Sequence, residues 1–304
     1  MTNSCSVSMI KASDYWQSLF GCKVYRLAVE GGKTCPNRDG TCGVGGCTFC
    51  AEGSGNFAEQ QGDINAQLDA AKLRVLKKCA EGKFIPYFQS YTATHGDTVP
   101  LFERMTMAIN RQDTVALAVA TRPDCLSQEV IDQLAELNQI KPVYVELGLQ
   151  TADNNIAEAF NRGYDTAVYI DACNRLKKAN LNIITHMIIG LPNQTKEDVC
   201  NTAKLIAQTA GGIKISLLHV LKGTDLATDF EKGNFKALSL EEYMDILFEC
   251  IQILPQNVVV HRITGDAPKI YLIEPKWSAD KKTVMNTISK EMEKRNIRQG
   301  EKLL

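Results

Sequence analysis

The chain has 304 residues, 44% of them apolar and 23% charged, with a formal net charge of −1. These are the proportions of one large globular domain, or of one plus a small appendage. So neutral a balance gives no global field that would announce a nucleic-acid partner, and no run of about eighteen apolar residues is present to span a membrane.

Residues 1–22 read as a leader whose Tyr15, Trp16, Leu19 and Phe20 are expected to cap one end of the core. Lys23–Val29 is the first predicted strand, and a cysteine-rich loop follows it directly. A helix is expected near Asp63–Cys79, with Ile64, Leu68, Ala71 and Val75 as its apolar stripe. The rhythm then repeats as strand Phe84–Gln89, helix Pro100–Asn110, strand Thr114–Ala120 and helix Ser127–Asn138. Strand Pro142–Leu149 is followed by helical pieces to Ala179, and strand Asn182–Ile189 by a helix that opens on a Thr195/Asp198 capping box. That helix stops at Gly211-Gly212, and Ile213–Leu218 is the sixth strand. A helix opening on Ser239 and Glu242 runs to Leu254, then come a short strand, Asn257–Arg262, and an amphipathic helix, Lys281–Arg298, carrying Val284, Ile288 and Met292 on one side.

Strands alternating with helices over this length predict a parallel sheet covered by helices. An open sheet and a closed barrel both fit the pattern, but about six full units fall short of an eight-unit barrel. No internal repeat or low-complexity linker interrupts the chain. Charge is uneven along it: Lys276–Lys302 holds eight bases against four acids, so the tail is net positive by four and the rest net negative by five.

Eleven cysteines is a high and odd number. With no charged segment leading into an apolar run at the start, reduced thiols in the cytoplasm are expected. Cys5, Cys22, Cys79, Cys125, Cys173, Cys200 and Cys250 are scattered, and most read as small packing residues. Four others fall within Cys35–Cys50, where Cys35, Cys47 and Cys50 make the pattern C-x11-C-x2-C. Two thiolates two residues apart can grip one metal centre from a single turn, and a glycine-rich loop can return a third. Structural zinc takes four ligands, so Cys42 would have to join the set. Three thiolates on a four-iron cluster would leave one iron open to a small molecule.

Together with other words along the chain, this loop resembles the radical S-adenosylmethionine (radical SAM) superfamily, and in particular its YhcC/YtqA-type family, related to the catalytic domain of elongator-like tRNA-modifying enzymes. The words are CPNRDG at Cys35–Gly40, GGCTFC at Gly45–Cys50, FQSYTAT at Phe88–Thr94, ATRPDCL at Ala120–Leu126 and ELGLQT at Glu146–Thr151. NRGYD at Asn161–Asp165, GLP at Gly190–Pro192, HVLKGTDLA at His219–Ala227 and HRITGDAP at His261–Pro268 extend the likeness over about residues 23–288.

The resemblance implies a partial (β/α)6 TIM-type barrel, with a leader (1–22), a radical SAM core (23–262) and a C-terminal extension bearing the basic helix (263–304). It implies a [4Fe-4S] cluster on Cys35, Cys47 and Cys50, with Cys42 a bystander, and S-adenosyl-L-methionine on the open iron. Gln150 and Arg162 have the spacing of a Gln and an Arg that contact the cofactor in related enzymes. Glu146, four residues before Gln150 on one strand, points to the same face. His186 stands where relatives often carry an acid, four residues before Gly-Leu-Pro. The expected activity is reductive cleavage of SAM to a 5′-deoxyadenosyl radical that modifies tRNA, at a wobble-uridine side chain, with a flavodoxin- or ferredoxin-like electron donor. The alternatives are a radical SAM enzyme acting on a small metabolite, and a non-enzymatic zinc- or RNA-binding module.

Overall fold

Seven strands are laid side by side in nearly the order in which the chain makes them. The computed structural model describes residues 8–51, 58, 59, 61–77, 79 and 81–303. Cys5, with the rest of leader residues 1–7, and Lys78 of the expected second helix lie outside the described residues. The chain runs α1 (Ala12–Phe20), β1 (Val24–Glu30), α2 (Ile64–Leu76), β2 (Lys83–Gln89), α3 (Val99–Ile109), β3 (Leu117–Thr121), α4 (Gln128–Ile140) and β4 (Val143–Gln150). It continues with α5 (Asn154–Ala159), α6 (Thr166–Lys178), β5 (Asn182–Ile189), α7 (Lys196–Thr209), β6 (Gly212–Leu217), a short β7 (Val220–Leu221) and α8 (Asp225–Glu231). Last come α9 (Leu240–Ile253), β8 (Val259–Arg262), β9 (Leu272–Glu274) and α10 (Lys281–Lys294).

The sheet order is β1-β2-β3-β4-β5-β6-β8, and every pair is parallel. Parallel neighbours in chain order require crossovers of one hand, which put the helices on the outer face. β1 and β8 are the two edges and do not pair, so the curled sheet is a partial TIM-type barrel, open along one side. This is the expected fold, with the short seventh strand in place. β7 and β9 form a separate antiparallel pair.

Strands buried on both faces read as almost continuous apolar runs. In β2, Phe84 and Phe88 join the outer core against the helices, while Ile85 and Tyr87 face the lumen with Ala118, Tyr144 and Ile184. Trp16 of α1 packs into the same lumen cluster, and Val260 N–H bonds Ile10 O at 2.8 Å. The described part of the leader therefore caps the barrel where the strands begin. Both expected capping boxes form, at Thr195/Asp198 and Ser239/Glu242. On α10, Val284, Ile288 and Met292 are buried in the outer core. Burial of such side chains is worth about 1.5–3 kcal/mol each. Cys173 and Cys250 are buried packing residues, as expected of the scattered thiols.

Candidate active site

The loop after β1 folds back on itself through main-chain bonds. Arg38 N–H donates to Cys35 O at 2.7 Å, Gly46 N–H to Asn37 O at 2.8 Å, and Cys50 N–H to Cys47 O at 2.9 Å. The Arg38 side chain then ties the loop's end, donating to Cys50 O at 2.6 Å. Asn37 Nδ2 bonds Asn161 O, and Asn161 Nδ2 returns the contact to Gly46 O at 2.9 Å. These bonds lock the cysteine loop to the turn before α6. Gly163 belongs to the same joint: its φ is +79°, and a Cβ there would stand 2.6 Å from Asn37 Oδ1. Phe49 packs on Phe160 with ring centroids 5.2 Å apart, in one apolar cluster with Cys47. Cys35, Cys47 and Cys50 are half-buried, whereas Cys42 is exposed. Burial pushes the Cys47 thiol up to about 12 and raises Cys50 as well. Such thiols keep their protons until a cation displaces them.

The carboxyl ends of β2 and β4 supply the opposite wall. Ser90, Tyr91 and Gln150 take positive φ values of 92°, 50° and 67°. Three non-glycine residues in that region mark backbone held in place by its surroundings. Ser90 Oγ is buried without a partner among the described residues, a vacancy that a bound polar group would fill. Arg162 is buried, and all five of its N–H groups are engaged: Nε on Tyr164 O, Nη1 on Leu149 O and Thr151 O, Nη2 on Asn154 Oδ1 and Thr166 Oγ1. Tyr164 donates to Gly148 O, and the guanidinium carbons of Arg162 and Arg122 lie 4.6 and 4.9 Å from its ring centroid. The Asn-Arg-Gly-Tyr-Asp word is thus the brace of the site.

Deeper in the lumen stands a layer of charge. Glu146 is fully buried and accepts from Arg26, from Lys214 and, at 2.8 Å, from His186 Nε2. Burial alone would raise its pKa, but Arg26 and Lys214 beside it hold the carboxyl well below the usual range. Burial and then Lys214 bring His186 down to about 4, so at neutral pH its ring is an uncharged donor to Glu146. Nδ1 of His261 lies 3.4 Å from Arg26. Tyr87 sits 4.9 Å under Arg26 and 4.6 Å from Lys214 Nζ.

All seven residues singled out in the sequence, namely Cys35, Cys47, Cys50, Glu146, Gln150, Arg162 and His186, line one cavity of about 280 Å³. It opens at the carboxyl ends of the strands, where parallel barrels place their sites. Cys42 does not line it; its Sγ faces Asp124 at 3.9 Å. Among the described residues, no three His, Cys, Asp or Glu side chains converge as one metal ion requires. A cluster asks less, since each thiolate binds a different iron. Arg162 has no N–H left for a cofactor, so any contribution it makes there passes through the loop it holds. Sequence reasoning missed Arg26 and Lys214. Their signal was a base in the interior of a mainly apolar strand, in VYRLAVE and GIKISL.

The Radical SAM superfamily model matches residues 33–206, and the Radical_SAM C-terminal domain model matches residues 210–294. The chain belongs to the radical SAM superfamily. Within it, the chain is 43% identical to YtqA of Bacillus subtilis over 92% of its own length and 88% of that protein. It is 36% identical to YhcC of Escherichia coli K12 over 88% of its length and 86% of that protein. A tRNA uridine(34) acetyltransferase of Methanocaldococcus jannaschii is 30% identical over 60% of this chain and 34% of that protein. Among solved structures, an N-terminally deleted Elp3 from the archaeon Methanocaldococcus infernus superposes with a TM-score of 0.69, at 22% identity, over 91% of this chain and 64% of that one.

Proposed function

We propose that the chain is a radical SAM enzyme that holds a [4Fe-4S] cluster on Cys35, Cys47 and Cys50 and modifies tRNA, at a wobble-uridine side chain. The observation that carries the chemical half is the meeting of three half-buried thiols with Gln150, Ser90 and Glu146 around one cavity. When bound, such a cluster supplies the electron that splits SAM into methionine and a 5′-deoxyadenosyl radical. The chain's own residues bind, orient and exclude. Arg38 and Asn37 fix the thiols, and Phe49 with Phe160 keeps water from them. Gln150 and the unpartnered Ser90 hydroxyl offer polar contacts to a nucleoside. Arg162, with Tyr164, acts as a positioning residue for the Gln150 turn.

The tRNA half rests on the tRNA uridine(34) acetyltransferase that matches over 188 residues. The basic tail adds little to it. Lys281, Lys294, Arg295 and Lys302, four of its eight bases, are each paired with an acid. The proposed setting is cytoplasmic, with a flavodoxin- or ferredoxin-like donor. Among the described residues, no helix is long and apolar enough to cross a membrane.

Protein purified without oxygen should carry iron and acid-labile sulfide and, once reduced, should release 5′-deoxyadenosine from SAM. Tightly held zinc without sulfide would end the cluster reading. Mass analysis of tRNA nucleosides from a deletion strain should show one modified uridine missing, and an unchanged nucleoside profile would end the tRNA reading. A small-metabolite substrate is the second reading, favoured by a larger chamber on the barrel's open side.

A further inference from the structure

A cavity of about 790 Å³ occupies the gap between β1 and β8. Its floor is Trp16 of α1, its inner wall holds Arg26, Tyr87 and Lys214, and its rim carries Arg262 and Arg298. Tyr87, Gln89 and Arg262 line this chamber and the cysteine-side cavity alike. We propose that the chamber is a binding site for a small molecule bearing a phosphate monoester, held by Arg26, Lys214 and Arg262. The chamber adjoins the cysteine-side cavity through Tyr87, Gln89 and Arg262, but occupancy by the ester needs neither cluster nor SAM.

Charge carries the argument. Among the described residues, bases at the lining number five (Lys11, Arg26, Lys214, Arg262, Arg298) against one acid, the exposed Glu293. Behind the wall, Glu146 is the carboxylate shared by Arg26 and Lys214. With Lys214 protonated, as a bound anion would hold it, the three cations Arg26, Lys214 and Arg262 less that one carboxylate leave a surplus of two. Asp266 offsets Arg262 weakly: it stands 3.9 Å away, and Lys281 grips both its oxygens at 2.6 and 2.7 Å. Neither histidine of the layer supplies a counter-charge, because an imidazole is neutral or positive. A buried cation without its own anion costs several kcal/mol, so a fold that keeps two around one acid is built for an incoming anion. A surplus of two matches a dianion.

The cations are also held in place. The guanidinium carbon of Arg26 lies 5.0 and 4.9 Å from the Trp16 and Tyr87 ring centroids. A rigid fork beside a lysine point charge is the usual equipment for phosphate. Burial, and next the field of Arg26, pull Lys214 well below the usual lysine range, and an arriving anion would hold its proton on. The rest of the chamber is apolar where α10 contributes Met285 and Met292. Its volume is that of a metabolite site and is too small for folded RNA.

The test uses the full chain with Trp277→Phe, which leaves Trp16 as the one tryptophan of the two. Inorganic phosphate, glucose 6-phosphate and AMP are titrated at constant ionic strength against glucose and adenosine, with Trp16 fluorescence as readout. At least one phosphate monoester should give a saturable change, and the uncharged controls none. Arg262→Gln, at a side chain 36% exposed, should weaken that response by about tenfold without loss of fold. Lys214→Met should abolish it; if that variant unfolds on heating earlier than the parent titration allows, Arg262→Gln decides alone. No saturable change up to about 10 mM for any monoester, or equal affinity in Arg262→Gln, would overturn the proposal. A response to a 5′-phosphorylated oligonucleotide with none to the small esters would overturn it too, and would assign the phosphate to RNA.

Discussion

Glu146→Gln changes one buried charge and almost no volume, so its cost measures how far the lumen depends on that carboxylate. The wild-type side chain is fully buried against Lys214, itself 4% exposed, and Arg26, 18% exposed. At an effective dielectric of about 20, a unit charge about 4 Å away contributes about 4 kcal/mol. Removing one partner of a buried pair costs about 3–5 kcal/mol, because the other charge stays buried. Arg26 keeps some contact with solvent when Glu146 is neutral, whereas Lys214 has almost none. Urea unfolding of the ligand-free protein near pH 8 should therefore show a loss of about 3 kcal/mol for Glu146→Gln. Adding Lys214→Met to that variant should cost at least 1.5 kcal/mol less than the same change in the wild type, about the coupling expected of contacting charges. If Glu146→Gln costs under about 1 kcal/mol, or the two changes add to within about 0.5 kcal/mol, the charge layer does not work as described.

Alanine at Cys35, Cys47 or Cys50 should abolish iron and sulfide uptake on anaerobic reconstitution, while Cys42→Ala should load normally; an equal loss for Cys42→Ala would make it a ligand. Arg162→Met strands the carbonyls of Leu149, Thr151 and Tyr164 and should lose about 3–5 kcal/mol by urea unfolding, with Arg162→Lys intermediate. His186 and His219 are both brought down to about 4, chiefly by burial, against about 6.5 when unfolded. The unfolded chain then binds more protons between those values, so stability should fall as pH drops from about 6.5 to 4, by up to about 2 kcal/mol per ring at pH 5. His186 is 23% exposed, so its share is the smaller fraction of that ceiling. Urea midpoints that stay level from pH 7 to 5 would contradict neutral folded-state histidines. Ser239→Ala should cost about 1 kcal/mol through the lost cap of α9, read from the same denaturation curves.

Local chemistry by itself determined much of this protein. Apolar period and turn residues placed β5 at Asn182–Ile189, and the boxes at Thr195/Asp198 and Ser239/Glu242 placed the starts of α7 and α9. Those signals need only near neighbours, which is why they read correctly. The C-x11-C-x2-C spacing of the three cysteines was legible too, and strand ends and turns bring them and Gln150 to one cavity. Tertiary structure alone decided what fills the barrel. A strand buried on both faces has no polar side to announce which residues point inward. Arg26 and Glu146, 120 positions apart, became partners only when the sheet curled. The same closure engaged every donor of Arg162, a residue that the resemblance to related enzymes implied as a cofactor contact. The open side arises because β1 and β8 do not meet, a property of the whole curve of the sheet that no short stretch of sequence carries.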